Sequence, residues 1–197
     1  MVSDKPKPAV FLDRDGTIIE EVGYIDSPDK IQVIPGADEA IKSLKDAGFK
    51  IIVISNQSGV AYGYFDENTV RLINNRVAEN FASGRAIIDA FYFCPHHPDF
   101  GNKHYRKDCD CRKPKPGMIL QAVEEHKIDL SKSIMIGDKF TDVKTGKDLN
   151  IFSILVLTGF GKEEYQKIKS NGLQPTPDLV AEDIHEAALI IKRQLEN

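Results

Sequence analysis

The sequence predicts an α/β fold, a doubly wound parallel sheet without a large cap domain, and three features lead to it. Short apolar runs of strand length recur between stretches with apolar residues at helical spacing. The runs are rich in β-branched residues and do not alternate with polar ones, the pattern of strands covered on both faces. Three of the runs give way to polar residues, Asp13, Ser55 and Asp138. In open parallel sheets ligands sit beyond the carboxyl ends of the strands, so these positions are the first to inspect.

In chain order, residues 8–12 form a short apolar run that ends at Asp13. Residues 37–47 place Ala40, Ile41 and Leu44 on one helical face, and Gly48 is a natural stop. Residues 50–55 read as a buried strand. Asp66 can cap a helix running to about residue 81, and residues 90–94 form a third strand. Pro116 can open a helix that ends near residue 126. Strands at 133–137 and 152–157 flank a short helix at 141–149, and an amphipathic helix follows at 184–195. Such alternation implies right-handed βαβ units. The segments between Thr17 and Ser55, and between Ser55 and Lys113, are filled by these elements and their loops, which leaves no room for a large cap. Residues 20–34, the loop after Ser58 and residues 98–108 are expected to cover the pocket and set its selectivity.

At about 150 residues per domain, 197 residues predict a single domain spanning 1–197. With 26 Lys+Arg against 30 Asp+Glu, the chain lacks the basic surplus of a general nucleic-acid binder. No apolar run approaches the ~18 residues of a membrane helix. Residues 1–8 contain no apolar signal core. The expectations are a cytoplasmic protein with a small-molecule partner, no nucleic acid, no membrane, and a monomeric state. The 3 cysteines, an odd number, fit poorly with a disulfide framework.

Asp13-Arg14-Asp15-Gly16-Thr17 places a carboxylate suited to nucleophilic attack at a strand end, and a second one two residues on. Gly16 permits the tight turn between them. Ser55-Asn56-Gln57-Ser58-Gly59 offers hydroxyl, amide and backbone donors for an anion. Arg112-Lys113-Pro114-Lys115 sets three cations ahead of a helix start, where phosphate is attracted. Asp138 and Asp142 bracket the start of another helix, and Asp138 could complete a Mg²⁺ site with Asp13. Each motif alone has an ordinary structural explanation, but four of them in order at strand ends do not arise readily by chance.

Together these motifs resemble the haloacid dehalogenase superfamily of phosphohydrolases, from residue 9 to about residue 159. The match is closer still to its subgroup of heptose-bisphosphate and histidinol-phosphate phosphatases. The resemblance implies that Asp13 is a nucleophile forming an aspartyl-phosphate and that Asp15 is the acid and base. It implies that Asp13, the Asp15 carbonyl and Asp138 hold Mg²⁺, and that Ser55 and Lys113 stabilise the phosphoryl group. Asp142 would act through Lys113 or a metal-bound water. Glu21, Val22, Gly23, Tyr24, Ser55, Asn56, Gln57, Ser58, Arg112, Lys113 and Lys139 would contact substrate. One departure is Ser55, where the family usually carries Thr; the hydroxyl is kept. The expected substrate is a heptose 1,7-bisphosphate cleaved at its 7-phosphate, because Arg112, Lys113, Lys115 and Lys139 give the pocket cations for a second phosphate. A histidinol-phosphate phosphatase is the alternative. A nucleic-acid end phosphatase is less favoured. So is a non-catalytic phospho-acceptor domain, which would not need Asp15.

Cys94-Pro95-His96 and Cys109-Asp110-Cys111 supply a complete Cys₃His set for a structural Zn²⁺. His97 and His104 are rival ligands on sequence grounds, and the related phosphatases' Cys-x-His…Cys-x-Cys pattern selects His96. A zinc staple would order the long polar loop at 98–108 and lead directly into Arg112 and Lys113.

Overall fold

The computed structural model describes residues 5–195; Met1–Asp4, part of the polar start, lie outside the described residues. In chain order the elements are β1 (Ala9–Leu12), α1 (Ala37–Asp46), β2 (Lys50–Asn56), α2 (Gly59–Tyr62), α3 (Glu67–Ser83) and β3 (Ala90–Cys94). They continue with α4 (Gly117–His126), β4 (Ile134–Gly137), α5 (Phe140–Asp148), β5 (Phe152–Val156), α6 (Gly161–Asn171), β6 (Leu179–Ala181) and α7 (Ile184–Leu195). The strands form one parallel sheet in the order β3-β2-β1-β4-β5-β6.

The period-2 geometry of a strand sorts its side chains between two layers. From β1, Val10 and Leu12 join Ile51 and Val53 of β2 in one core, packed under α1, α3 and α7. Ala9 and Phe11 join Ile52 and Ile54 in the opposite core with Met118, Ile119 and Ala122 of α4. Val143 of α5, Leu155 and Ile168 of α6 extend that second layer. Both faces are thus covered, which is why the strands read as unbroken apolar runs. Burying a side chain such as Phe11 or Ile52 stabilises the fold by about 1.5–3 kcal/mol each.

Successive strands leave β1 in opposite directions: β2 and β3 to one side, β4 to β6 to the other. The gap between β1 and β4 is therefore the topological switch point, and Asp13 and Asp138 follow the ends of those two strands.

Three elements go beyond the sequence expectation. β6 is a three-residue edge strand, too short for a periodic signal. Along α6 only Gly161 and Ile168 are buried, so its sequence carries no apolar stripe. α2 is a single turn. Pro116 stands one residue ahead of α4 instead of within its first turn. Asp66 caps α3 as expected, accepting the Thr69 N–H at 2.8 Å. Among the described residues no helix is long and apolar enough to cross a membrane.

Candidate active site

Beyond β1 the chain turns sharply at Gly16, whose φ is +84°. A Cβ there would lie 2.2 Å from Asp138 Oδ2, and one on Gly159 would lie 2.3 Å from the same oxygen. Two glycines therefore let the backbone close around the Asp138 carboxylate. Oδ2 accepts the Phe160 N–H at 2.9 Å. Oδ1 is buried without a hydrogen-bond partner. Burial, together with the neighbouring Asp13, pushes the Asp138 pKa up to about 8.

Lys113 is buried, and its Nζ lies 2.8 Å from Asp13 Oδ1, 2.7 Å from Asp142 Oδ1 and 2.8 Å from the Ile54 carbonyl. Burial alone would raise the Asp13 pKa, but the ammonium groups of Lys113 and Lys139 override it and hold the carboxyl below its ordinary range. Lys113 is held above its ordinary value by Asp13 and Asp142 against the opposing effect of burial. The Asn56 side chain grips the Lys113 main chain at both ends, donating to its carbonyl and accepting its N–H, each at 3.0 Å. Ser55 lies beneath this group, its hydroxyl buried and unpartnered.

Oxygens of Asp13, Asp138 and Asp142 lie within 4.8 Å of one another. Asp142 is already committed: Oδ1 to Lys113 and Oδ2 to the Lys139 N–H at 3.0 Å. Asp13 Oδ2 and Asp138 Oδ1, which make no side-chain hydrogen bond and have only the Lys139 ammonium nearby at 4.0 and 3.6 Å, are thus the side-chain oxygens left for a cation. The chemistry fits Mg²⁺, which takes few carboxylates and fills its sphere with water and phosphate.

Asp15 accepts three hydrogen bonds from two side chains. Arg14 donates through Nε to Oδ1 at 3.1 Å and through Nη2 to Oδ2 at 3.0 Å, and Gln57 Nε2 donates to Oδ2 at 2.9 Å.

Above these groups opens a cleft of about 570 Å³. It brings together Asp13, Asp15, Glu21, Gly23, Tyr24, Asn56, Gln57, Ser58, Arg112, Lys113 and Lys139. Val22 departs from expectation: its side chain is half exposed and lies outside the lining, although its neighbours Glu21, Gly23 and Tyr24 belong to it. Ser55 and Asp138 lie below the floor. Sequence reasoning missed Thr141, Pro114 and Phe160 as lining residues. Lys139 Nζ sits 4.8 Å over the Phe160 ring and 3.3 Å from Glu21 Oε2. At the rim, Tyr24 packs edge-on against Tyr62 and Tyr64, and Tyr62 meets Phe100 of the polar loop. The aromatic spacing from residue 62 to 64 was the available signal for this wall.

Cys94, His96, Cys109 and Cys111 converge beside the cleft. Their Sγ atoms are 3.2–3.4 Å apart, and His96 Nδ1 lies 3.6 Å from Cys94 and 3.3 Å from Cys111. Those separations are too long for disulfides and close to the ~3.8 Å edges of a tetrahedron with ~2.3 Å metal–sulfur bonds. His97 is otherwise engaged, its Nδ1 accepting the N–H groups of Asp99 and Phe100. From this cluster the chain passes to Arg112, whose Nη1 donates to the His96 carbonyl at 3.0 Å and to Ser58 Oγ at 2.8 Å.

A HAD-hydrolase-like family model, HAD standing for haloacid dehalogenase, matches residues 110–187. The chain is 39% identical over 186 residues to the D-glycero-beta-D-manno-heptose-1,7-bisphosphate 7-phosphatase of Haemophilus influenzae, covering 94% of this chain and 97% of the relative. It is 41% identical to the D-glycero-D-manno-heptose-1,7-bisphosphate 7-phosphatase of Thermosynechococcus vestitus, covering 92% and 94%. Among solved structures, the D,D-heptose 1,7-bisphosphate phosphatase of B. bronchiseptica, complexed with magnesium and phosphate, superposes with a TM-score of 0.83. It is 30% identical and covers 95% of this chain and 99% of that one.

Proposed function

The chain belongs to the haloacid dehalogenase-like phosphatases of the heptose-bisphosphate type, and from that membership we propose that it hydrolyses the 7-phosphate of D-glycero-D-manno-heptose 1,7-bisphosphate. It is a phosphoric monoester hydrolase. The observation that carries the substrate assignment is the presence in one cleft of two cationic stations. Lys113 stands at Asp13, where the phosphoryl group is transferred, and Arg112 stands near Ser58, where a second phosphate can be gripped.

In the proposed mechanism, Asp13 attacks phosphorus and the bond from phosphorus to the sugar oxygen breaks, leaving an aspartyl-phosphate. Asp15 delivers the proton to the departing sugar oxygen. In the second step water attacks the same phosphorus, Asp15 takes the water's proton, and Asp13 is released as a carboxylate. Lys113 and the Ser55 hydroxyl balance charge on the phosphoryl oxygens. Asp13 and Asp138, with the Asp15 carbonyl, would hold Mg²⁺, which when bound supplies charge neutralisation and alignment. The Cys94–His96–Cys109–Cys111 cluster would hold a structural Zn²⁺ that fixes Arg112.

Glu21 favours the bisphosphate over histidinol phosphate. Its Oε1 accepts the Gly23 N–H at 2.8 Å and its Oε2 faces Lys139, so it is not free to receive a substrate amine. We read the protein as a single cytoplasmic domain acting as a monomer on a small molecule, without nucleic acid or membrane. The test is phosphate release across both anomers of the heptose bisphosphate, histidinol phosphate and a phosphorylated DNA end. The bisphosphate is expected to give the highest kcat/KM; a clear preference for histidinol phosphate would overturn the assignment.

A further inference from the structure

Arg14 is 1% exposed, and it is the largest side chain buried to that degree. A guanidinium taken out of water needs its donors satisfied. Nε and Nη2 serve Asp15, and Nη1 donates to Asn74 Oδ1 at 2.8 Å. Asn74 comes from the middle of α3, where it is 5% exposed among Val70, Ile73 and Val77. A helix interior facing an apolar core gains nothing from an amide there unless the amide serves a buried partner. Its partner is the arginine that forks onto Asp15.

We propose that Asn74 and Arg14 are positioning residues for Asp15, which fix the plane of its carboxylate so that it can take a proton from the water that releases the phosphoryl-enzyme. The inference rests on the reading of Asp15 as the acid and base. The bidentate contact from Arg14 sets both oxygens in one plane, and Asn74 sets the guanidinium. Gln57, just past the end of the neighbouring parallel strand β2, adds a third donor, leaving the carboxylate little rotational freedom. Neither Asn74 nor Arg14 lines the cleft, so both act on the reaction through Asp15.

The two half-reactions depend on Asp15 unequally when the substrate is p-nitrophenyl phosphate. Nitrophenolate leaves as a stable anion without needing a proton, so formation of the aspartyl-phosphate proceeds with Asp15 displaced. Hydrolysis still requires the base: water's oxygen bonds to phosphorus, its proton passes to Asp15, and the Asp13 carboxylate departs. Displacing Asp15 therefore converts steady turnover into a burst of nitrophenolate followed by a slow phase.

The experiment compares rapid-mixing traces of the Mg²⁺-loaded enzyme for wild type, Asp15→Asn, Asn74→Leu, Asn74→Asp and Arg14→Lys. Asn74→Leu is expected to give about one nitrophenolate per active chain, then a steady rate roughly tenfold or more below wild type, a part of the ~10²–10⁴ that general acid–base catalysis supplies. Asn74→Asp keeps an acceptor for Nη1 and is expected to recover most of the steady rate. Arg14→Lys keeps the charge but loses the fork, and is expected to behave like Asn74→Leu even where the leucine variant does not fold. A burst lost together with the steady rate in both Asn74→Leu and Arg14→Lys means general damage at Asp13 and overturns the proposal. Wild-type steady turnover in those two variants, with Asp15→Asn inactive, overturns the positioning role alone. Wild-type turnover by Asp15→Asn overturns the acid–base reading and this inference with it.

Discussion

Lys113 Nζ is shared among Asp13, Asp142 and a main-chain carbonyl, so one atom ties the proposed nucleophile to the fold. Truncation removes the cation between the two buried carboxylates and leaves only Lys139 nearby, 4.0 Å from Asp13 Oδ2. Lys113→Ala is expected to abolish turnover and to destabilise the chain by about 3–5 kcal/mol, measured by denaturant unfolding. Asp13→Asn should also be inactive, yet keep a folded chain, because the amide retains the shape of the side chain; phosphate release and circular dichroism together distinguish the two variants. Arg112→Ala is expected to raise KM for the bisphosphate far more than for a simple monophosphate, since only the former uses a second phosphate grip. Equal effects on both substrates would remove Arg112 from substrate binding. The polar residues at strand ends were legible in the sequence because an apolar run stops abruptly at each of them. Asn56 and Gln57 were legible as members of the site, but not their partners: the Asn56 side chain holds the Lys113 main chain, and Gln57 donates to Asp15. Asn74 carried no local signal, since an amide in a helix looks the same in sequence whether it faces solvent or a buried guanidinium.

At the scale of elements, the loop between β3 and α4 has almost no apolar residues of its own to bury. The thiolate–imidazole cluster closes it instead, and one Zn²⁺ per chain is expected by elemental analysis of protein purified without added metal. Three freely titrating thiols and no zinc would contradict this. Cys109→Ser is expected to loosen the loop and lower activity indirectly, through displacement of Arg112 from Ser58 and the His96 carbonyl. The central strands were readable because both of their faces are apolar. β6 and α6 were not: an edge strand of three residues and a helix with one large buried side chain draw their order from the body they dock on.

For the whole molecule, the sheet order places the carboxyl ends of β1 and β4 side by side at its centre, and Asp13, Asp138 and Asp142 are thereby pressed into one low-dielectric spot. Such crowding works against folding. The Asp138 carboxyl, with its pKa raised to about 8, favours the folded state only while protonated. Its contribution is complete below the ordinary carboxylate range and is lost as pH rises toward 8. In metal-free protein, Asp138→Asn is therefore expected to melt higher than wild type near neutral pH, by about 2–4 °C for each kcal/mol relieved, with the gap closing as the pH falls toward 4. Thermal melts at several pH values read this directly, and a variant no more stable than wild type at pH 7 would refute it. The same feature makes the chain a thermometer for its own cation. Mg²⁺ binds the folded state alone, so it should raise the melting temperature of wild type, by about 2.7 kcal/mol of stability at a hundred times its dissociation constant, and leave Asp138→Asn nearly unmoved. The carboxyl at the centre of the sheet thus costs stability in the metal-free chain that a bound cation would return. Survival of the folded chain is thereby tied to the supply of the ion on which its chemistry depends.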